Sequence, residues 1–131
     1  MRLETPKKSI NTSSKALYLF LEDVKNFEKL MPENISKFEI LGEDKFLFAL
    51  KGMPEIVLKM KEKTPYKQLV LGSASDKVPF TLTANINEVS ENASEVNLIF
   101  EGEFNAMMGM MIKGPITNFI NTLTDNMGRN V

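Results

Sequence analysis

The chain has 131 residues, 43% of them hydrophobic and 25% charged, and 16 basic against 17 acidic side chains leave a net charge of −1. That is the size and composition of one globular domain over 1–131, with enough apolar side chains for a core and no basic surplus to hold nucleic acid. Cysteine and histidine are both absent, which excludes disulfides, thiol or imidazole catalysis, and thiolate or imidazole metal ligands.

No apolar run approaches the roughly 20 residues of a spanning helix. The first ten residues, MRLETPKKSI, carry no apolar signal-peptide region. The expectation is a soluble cytoplasmic protein.

In chain order, residues 3–10 read as a first or edge strand interrupted by Pro6, which has no amide to donate. Asn11, Thr12, Ser13 and Ser14 supply helix-capping side chains. Behind them Ala16, Leu17, Phe20, Leu21 and Val24 recur at helical spacing, and Phe27, Leu30 and Met31 extend that face to Pro32. This predicts one bent helix or two short ones over 13–31, with Asp23 able to restart the turn.

A ladder of alternating segments follows, each ending in turn residues. Phe38 and Ile40 lead to Gly42-Glu43-Asp44; Phe46, Phe48 and Leu50 lead to Gly52-Met53-Pro54. Ile56, Leu58 and Met60 alternate with Lys59, Lys61 and Lys63 before Thr64-Pro65, and Leu69 to Leu71 run into Gly72-Ser73-Ala74-Ser75-Asp76. Phe80, Leu82, Ala84 and Ile86 alternate with Thr81, Thr83, Asn85 and Asn87; Val96, Leu98, Phe100 and Phe104 alternate with Glu95, Asn97, Glu101 and Glu103. Six strands with tight connections make an antiparallel meander, apolar on one face and wet on the other.

The last quarter is a long helix. Asn105 is a plausible N-cap, and Met108, Ile112, Ile116, Phe119, Ile120, Leu123 and Met127 form one stripe. Lys113, Thr117, Asn118, Asn121, Thr124 and Asp125 take the remaining surface, and Gly114-Pro115 should kink the helix. Met107, Met110 and Met111 lie off the stripe, so the first half is apolar nearly all round.

The element order, together with LEDVKNFEKLMPENI (21–35), KGMPEIVLKMKEKTPYKQLVLGSAS (51–75) and MMGMMIKGPITNFINTLTDNM (107–127), resembles the START-like or SRPBCC superfamily. Asp23 and Asn26 with Leu30-Met31-Pro32 are similar to a signature of its polyketide-cyclase-like and carbon-monoxide-dehydrogenase-subunit-G-like branches. The resemblance spans essentially the whole chain. It implies the α+β helix-grip (Bet v 1-like) fold, a curved seven-stranded antiparallel sheet with two short helices after strand 1 and a C-terminal helix over the concave face. It also implies a cavity for lipids, sterols, polyketides or other apolar ligands; some branches are enzymes, others binding or assembly modules.

The residues independently suit such a cavity, because one helix cannot fill the mouth of so wide a sheet. Its expected wall is Phe46, Phe48, Phe80, Leu82, Phe100 and Phe104 with Met108, Met111, Ile112 and Phe119. Met107, Met110, Gly114 and Pro115 are the expected lid and hinge, methionine being able to repack around varied guests. The bland alternative is that the phenylalanines are simply core. No catalytic, cofactor or metal residue is identified: Glu62 is in phase with the inner face but sits at a strand end, Tyr66 belongs to a turn, Glu55 and Asp76 show no paired spacing, and arginine occurs only at positions 2 and 129. The basic stripe of Lys51, Lys59, Lys61, Lys63 and Lys67 reads as a solvated face.

The expectation is a carrier or sensor for a hydrophobic or amphipathic small molecule. The alternative is a non-catalytic module whose methionine surface docks a protein partner or a membrane, and outward exposure of Met107, Met110 and Met111 would favour it. A cyclase- or hydrolase-like enzyme ranks third, since it needs a carboxylate, tyrosine or arginine inside the cavity.

Overall fold

Proline and capping side chains decide how the N-terminal third is cut into elements. The computed structural model describes residues 1–74 and 79–131; Ser75 and Asp76, expected in the turn after the fourth meander strand, lie outside them. Arg2–Glu4 (β1) and Lys8–Ile10 (β2) both pair antiparallel with Ala93–Gly102 (β8). The expected first strand is therefore two pieces. Thr5 holds the line between them, donating its amide to the Leu98 carbonyl (2.9 Å) and accepting the Leu98 amide on its hydroxyl (2.9 Å), just before Pro6 breaks the ladder.

The helical stretch is likewise two pieces, α1 (Ser14–Glu22) and a 3₁₀ helix (Val24–Leu30). Ser13 caps α1 by accepting the Ala16 amide (3.1 Å). Asp23 then ends α1 and caps the 3₁₀ helix through the Lys25 amide (3.1 Å), while Asn26 Nδ2 donates back to the Phe20 carbonyl (2.9 Å). The Asp-x-x-Asn pair thus satisfies orphan groups on both sides of one sharp turn.

The meander follows as β3 (Ile35–Ile40), β4 (Lys45–Leu50), β5 (Ile56–Thr64), β6 (Gln68–Ser73), β7 (Phe80–Ser90) and β8. The sheet order is β1-β8-β7-β6-β5-β4-β3, with β2 also on β8. Eight strand segments fill the seven expected sheet positions. A register shift between Met60 and Glu62 ends the buried run of β5, and Glu62 is exposed there.

The long helix α2 (Ala106–Asn130) starts at Asn105, which accepts the Met108 amide (2.8 Å). It is helical straight through Gly114-Pro115, so the expected kink does not interrupt it. Pro115 removes only the bond to the Met111 carbonyl, and both Gly114 and Pro115 are exposed, where water can solvate the freed carbonyl. Its second half buries Ile116, Phe119, Ile120, Leu123 and Met127 against the sheet and 3₁₀ helix. Asn126 Nδ2 fastens it to the Leu30 carbonyl at 2.9 Å. Thr124, expected on the surface, is buried, its hydroxyl donating to the Asn121 carbonyl (2.9 Å).

Inside, the rings of Phe27, Phe46, Phe48 and Phe119 form a column, with centroid distances of 5.1, 6.1 and 4.8 Å in that order. Truncating Phe48 or Phe119 to alanine should cost about 3–5 kcal/mol each. The double variant should show a coupling of about 0.5–1.5 kcal/mol, read from urea unfolding.

Burial, followed by the Glu22 carboxylate, holds the Tyr18 phenol above its ordinary value. The folded chain then keeps a proton that the unfolded chain loses first, so this contribution is complete below about pH 10 and is lost as pH rises beyond it. Alkaline unfolding should therefore steepen above about pH 10, and Tyr18→Phe should remove that component.

Candidate functional site

The first half of α2 lies beyond the end of the ring column, and a gap remains beneath it. An apolar cavity of about 380 Å³ is lined there by Met53, Pro54, Glu55, Ile56, Val57, Ser73, Phe80, Phe100, Phe104, Met108, Ile112 and Ile116. The strand starts of β5 and β7 and the end of β8 form its floor. Phe100 joins Phe80 (5.2 Å) and Phe104 (6.0 Å) in a second aromatic row. That row needs Gly102: a Cβ there would stand 2.8 Å from the Phe80 Cβ and from the Phe104 ring, and 3.1 Å from the Pro79 carbonyl oxygen.

Of the ten expected wall residues, Phe80, Phe100, Phe104, Met108 and Ile112 border this cavity. Phe46, Phe48, Leu82 and Phe119 do not, because they are buried in the core, three of them within the ring column. Met111 faces a separate cleft of about 580 Å³ between α2 and the β4–β5 turn, a cleft that Gly114, Pro115 and the rim of Phe119 also border. In that turn Gly52 adopts φ +80°, a conformation glycine reaches without strain, and the Met53 amide donates to the Leu50 carbonyl (3.0 Å). Met53 consequently borders both spaces. It and the start of β5 were missed as wall residues; Ile56 in a strand-start alternation was the available signal, whereas the turn's inward fold was not readable.

The off-stripe methionines point outward. Met107, Met110 and Met111 are 75%, 82% and 69% exposed, and Met108 on the cavity side is 39% exposed. Glu55, the one carboxylate among the described lining residues, is ion-paired with Lys37 (2.9 Å), and this pairing with Glu55 raises the lysine's pKa, helped by Glu39. Among the described residues no group of three or more acidic side chains could hold a metal. Among them too, no helix is long and apolar enough to cross a membrane.

No protein-family model matches the sequence, and no curated protein matches it. Solved structures do. Norcoclaurine synthase from Thalictrum flavum superposes with a TM-score of 0.77 at 12% identity, covering 98% of this chain and 84% of that one. The same enzyme has been solved in complex with dopamine and hydroxybenzaldehyde (TM-score 0.74, 11% identity, 98% of this chain, 84% of that one). A START superfamily protein from Mycobacterium smegmatis gives 0.72 at 10% identity over 99% of this chain and 96% of its own. The fold is START-like. The helix-grip sheet, the split helix pair and α2 all correspond to that architecture, and identities this low speak to the fold alone.

Within this helix-grip frame the cavity depends on Gly102. Gly102→Ala should displace the Phe104 ring and lower stability by about 1–3 kcal/mol, because the obstructing Phe80 Cβ and Pro79 carbonyl are close to backbone. Thermal unfolding with the aromatic proton shifts of Phe100 and Phe104 would check both effects.

Proposed function

We propose that the protein binds an apolar or amphipathic small molecule in the cavity beneath the first half of α2, acting as a carrier or sensor. The observation that carries this reading is the cavity's lining: ten apolar side chains, among them Phe80, Phe100, Phe104, Met108, Ile112 and Ile116, surround a space where Glu55, the one carboxylate among the described lining residues, is already paired. Its volume of about 380 Å³ falls in the lower part of the roughly 300–1,000 Å³ range of small-molecule sites. A guest of one or two rings or a short acyl chain suits it. The norcoclaurine synthase of this fold holds dopamine and hydroxybenzaldehyde, which supports that guest size.

Entry proceeds by movement of the first half of α2. That half contains Gly109, Gly114 and Pro115, and apart from the helix's own backbone and the adjoining residues no atom lies within 4 Å of where a Cβ of either glycine would stand. Packing therefore does not require these glycines, yet each costs a helix about 1 kcal/mol relative to alanine. Little burial offsets that cost until Ile116. Amides of residues 107–114 should exchange with solvent faster than those of 117–127.

Native mass spectrometry of the purified protein should recover a bound apolar guest. Ile112→Trp, which fills the cavity, should weaken uptake of an apolar fluorescent probe by at least about tenfold. Gly109→Ala should raise stability by about 1 kcal/mol while slowing probe entry. Recovery of no guest, with probe binding indifferent to Ile112→Trp, would sink the reading.

A second reading has its own observation. The exposed Met107, Met110 and Met111 form the kind of apolar patch that docks a protein partner or a membrane. Serine at all three positions would abolish such docking and leave cavity binding intact.

A further inference from the structure

With no cysteine and no histidine in the chain, methionine thioethers are its only soft metal donors. The fold gathers three of them, from two distant segments, at one rim. Met53 stands in the β4–β5 turn beside Gly52 and borders both the apolar cavity and the neighbouring cleft. On α2, Met108 lines the cavity and Met111 lines the cleft. Residues three apart on a helix are surface neighbours, with Cβ atoms about 5–6 Å apart. Because Met53 borders both spaces, it stands across from the ridge that Met108 and Met111 form.

Packing accounts for these side chains only in part. Met111 is 69% exposed, Met108 39%, and Met53 is half-buried. Leucine would serve the helix as well as methionine does. What methionine adds is a polarizable sulfur on a chain of three rotatable bonds, able to turn toward a common point. Gly114, three residues after Met111, borders the same cleft without a side chain to fill it.

The charges around the rim select against a hard, doubly charged ion. Among the described residues no group of three or more acidic side chains could hold one. Glu55 on the cavity side is ion-paired with Lys37 at 2.9 Å, and Lys51 places an ammonium on the lining of the cleft. Neutral sulfur donors beside a lysine suit a soft cation of the lowest charge.

We propose that Met53, Met108 and Met111 form a thioether site for a soft monovalent metal ion, copper(I), on the rim between the cavity and the cleft. Thioether sulfur is among the ligands that select copper(I) over magnesium, calcium or manganese. The ion binds without change of oxidation state, and the site does not depend on an apolar guest occupying the cavity.

Methionine-methyl NMR during titration with copper(I), kept reduced by ascorbate under nitrogen, tests it, with a copper(I) chelator in competition to give the affinity. Silver nitrate serves as a redox-inert stand-in, and magnesium chloride as the hard control. The expected result is one ion per chain and saturable shifts concentrated at the Met53, Met108 and Met111 methyls, with copper(I) and silver but not magnesium. Affinity should stay constant between about pH 6 and 8, since a thioether has no proton to lose there. Met53→Leu, Met108→Leu and Met111→Leu should each weaken binding by at least about tenfold, whereas Met110→Leu should leave it unchanged, as Met110 borders neither space. Leucine keeps the surface apolar and removes only the sulfur, so uptake of an apolar probe or docking of a partner should survive these substitutions. Shifts that stay linear, that extend equally to the buried Met127, or that survive Met53→Leu unchanged would overturn the proposal. Loss of binding on Met110→Leu would overturn it too, by placing the ion on the outer face of α2.

Discussion

The ring column from Phe27 through Phe46 and Phe48 to Phe119 is the contact on which the rest of the architecture depends. It joins the 3₁₀ helix, the β4 strand and the long helix by three ring contacts in a row. Flat rings near offset-stacked separation fill the width of the curved sheet that one helix could not fill alone. Where the column stands, the interior is closed. Where it ends, toward Phe80, Phe100 and Phe104, the interior is a cavity.

That division explains why one helix behaves as two. From Ile116 onward α2 rests on the column and on the 3₁₀ helix, with Asn126 reaching the Leu30 carbonyl. Before Ile116 it has the cavity and the second aromatic row beneath it, a proline without an amide, two glycines, and three methionines exposed to solvent. The physical difference between the halves is burial, not helical geometry.

The two ends of the sheet are chemically unlike. At the starts of β5 and β7 the side chains are aromatic and aliphatic, and the backbone approaches closely only because Gly102 has no Cβ. At the far ends of the same strands a polar cleft is lined by Gln68, Asn85 and Asn87 with Tyr66, Glu88 and Ser14. Both strands carry a register shift toward that far end, between Met60 and Glu62 in β5 and between Glu88 and Ser90 in β7, and the residues placed at each end supply the rest of the change.

Strand alternation, proline positions and capping side chains made most of the fold legible. All six meander strands, the break at Pro6, the cap at Asn105 and the buried stripe from Ile116 to Met127 follow from local rules that act within a few residues. Which inward-facing phenylalanine is core and which is cavity wall was not legible, since Phe48 and Phe100 sit in equivalent alternating patterns. Only the tertiary structure decides it: Phe48 meets Phe119 across the sheet, whereas Phe100 meets Phe80 and Phe104 in the row and borders an open space. The same holds for Met111, which sequence periodicity cannot aim and which borders the cleft against the β4–β5 turn. Local sequence sets which face a side chain shares; long-range packing alone sets what it faces.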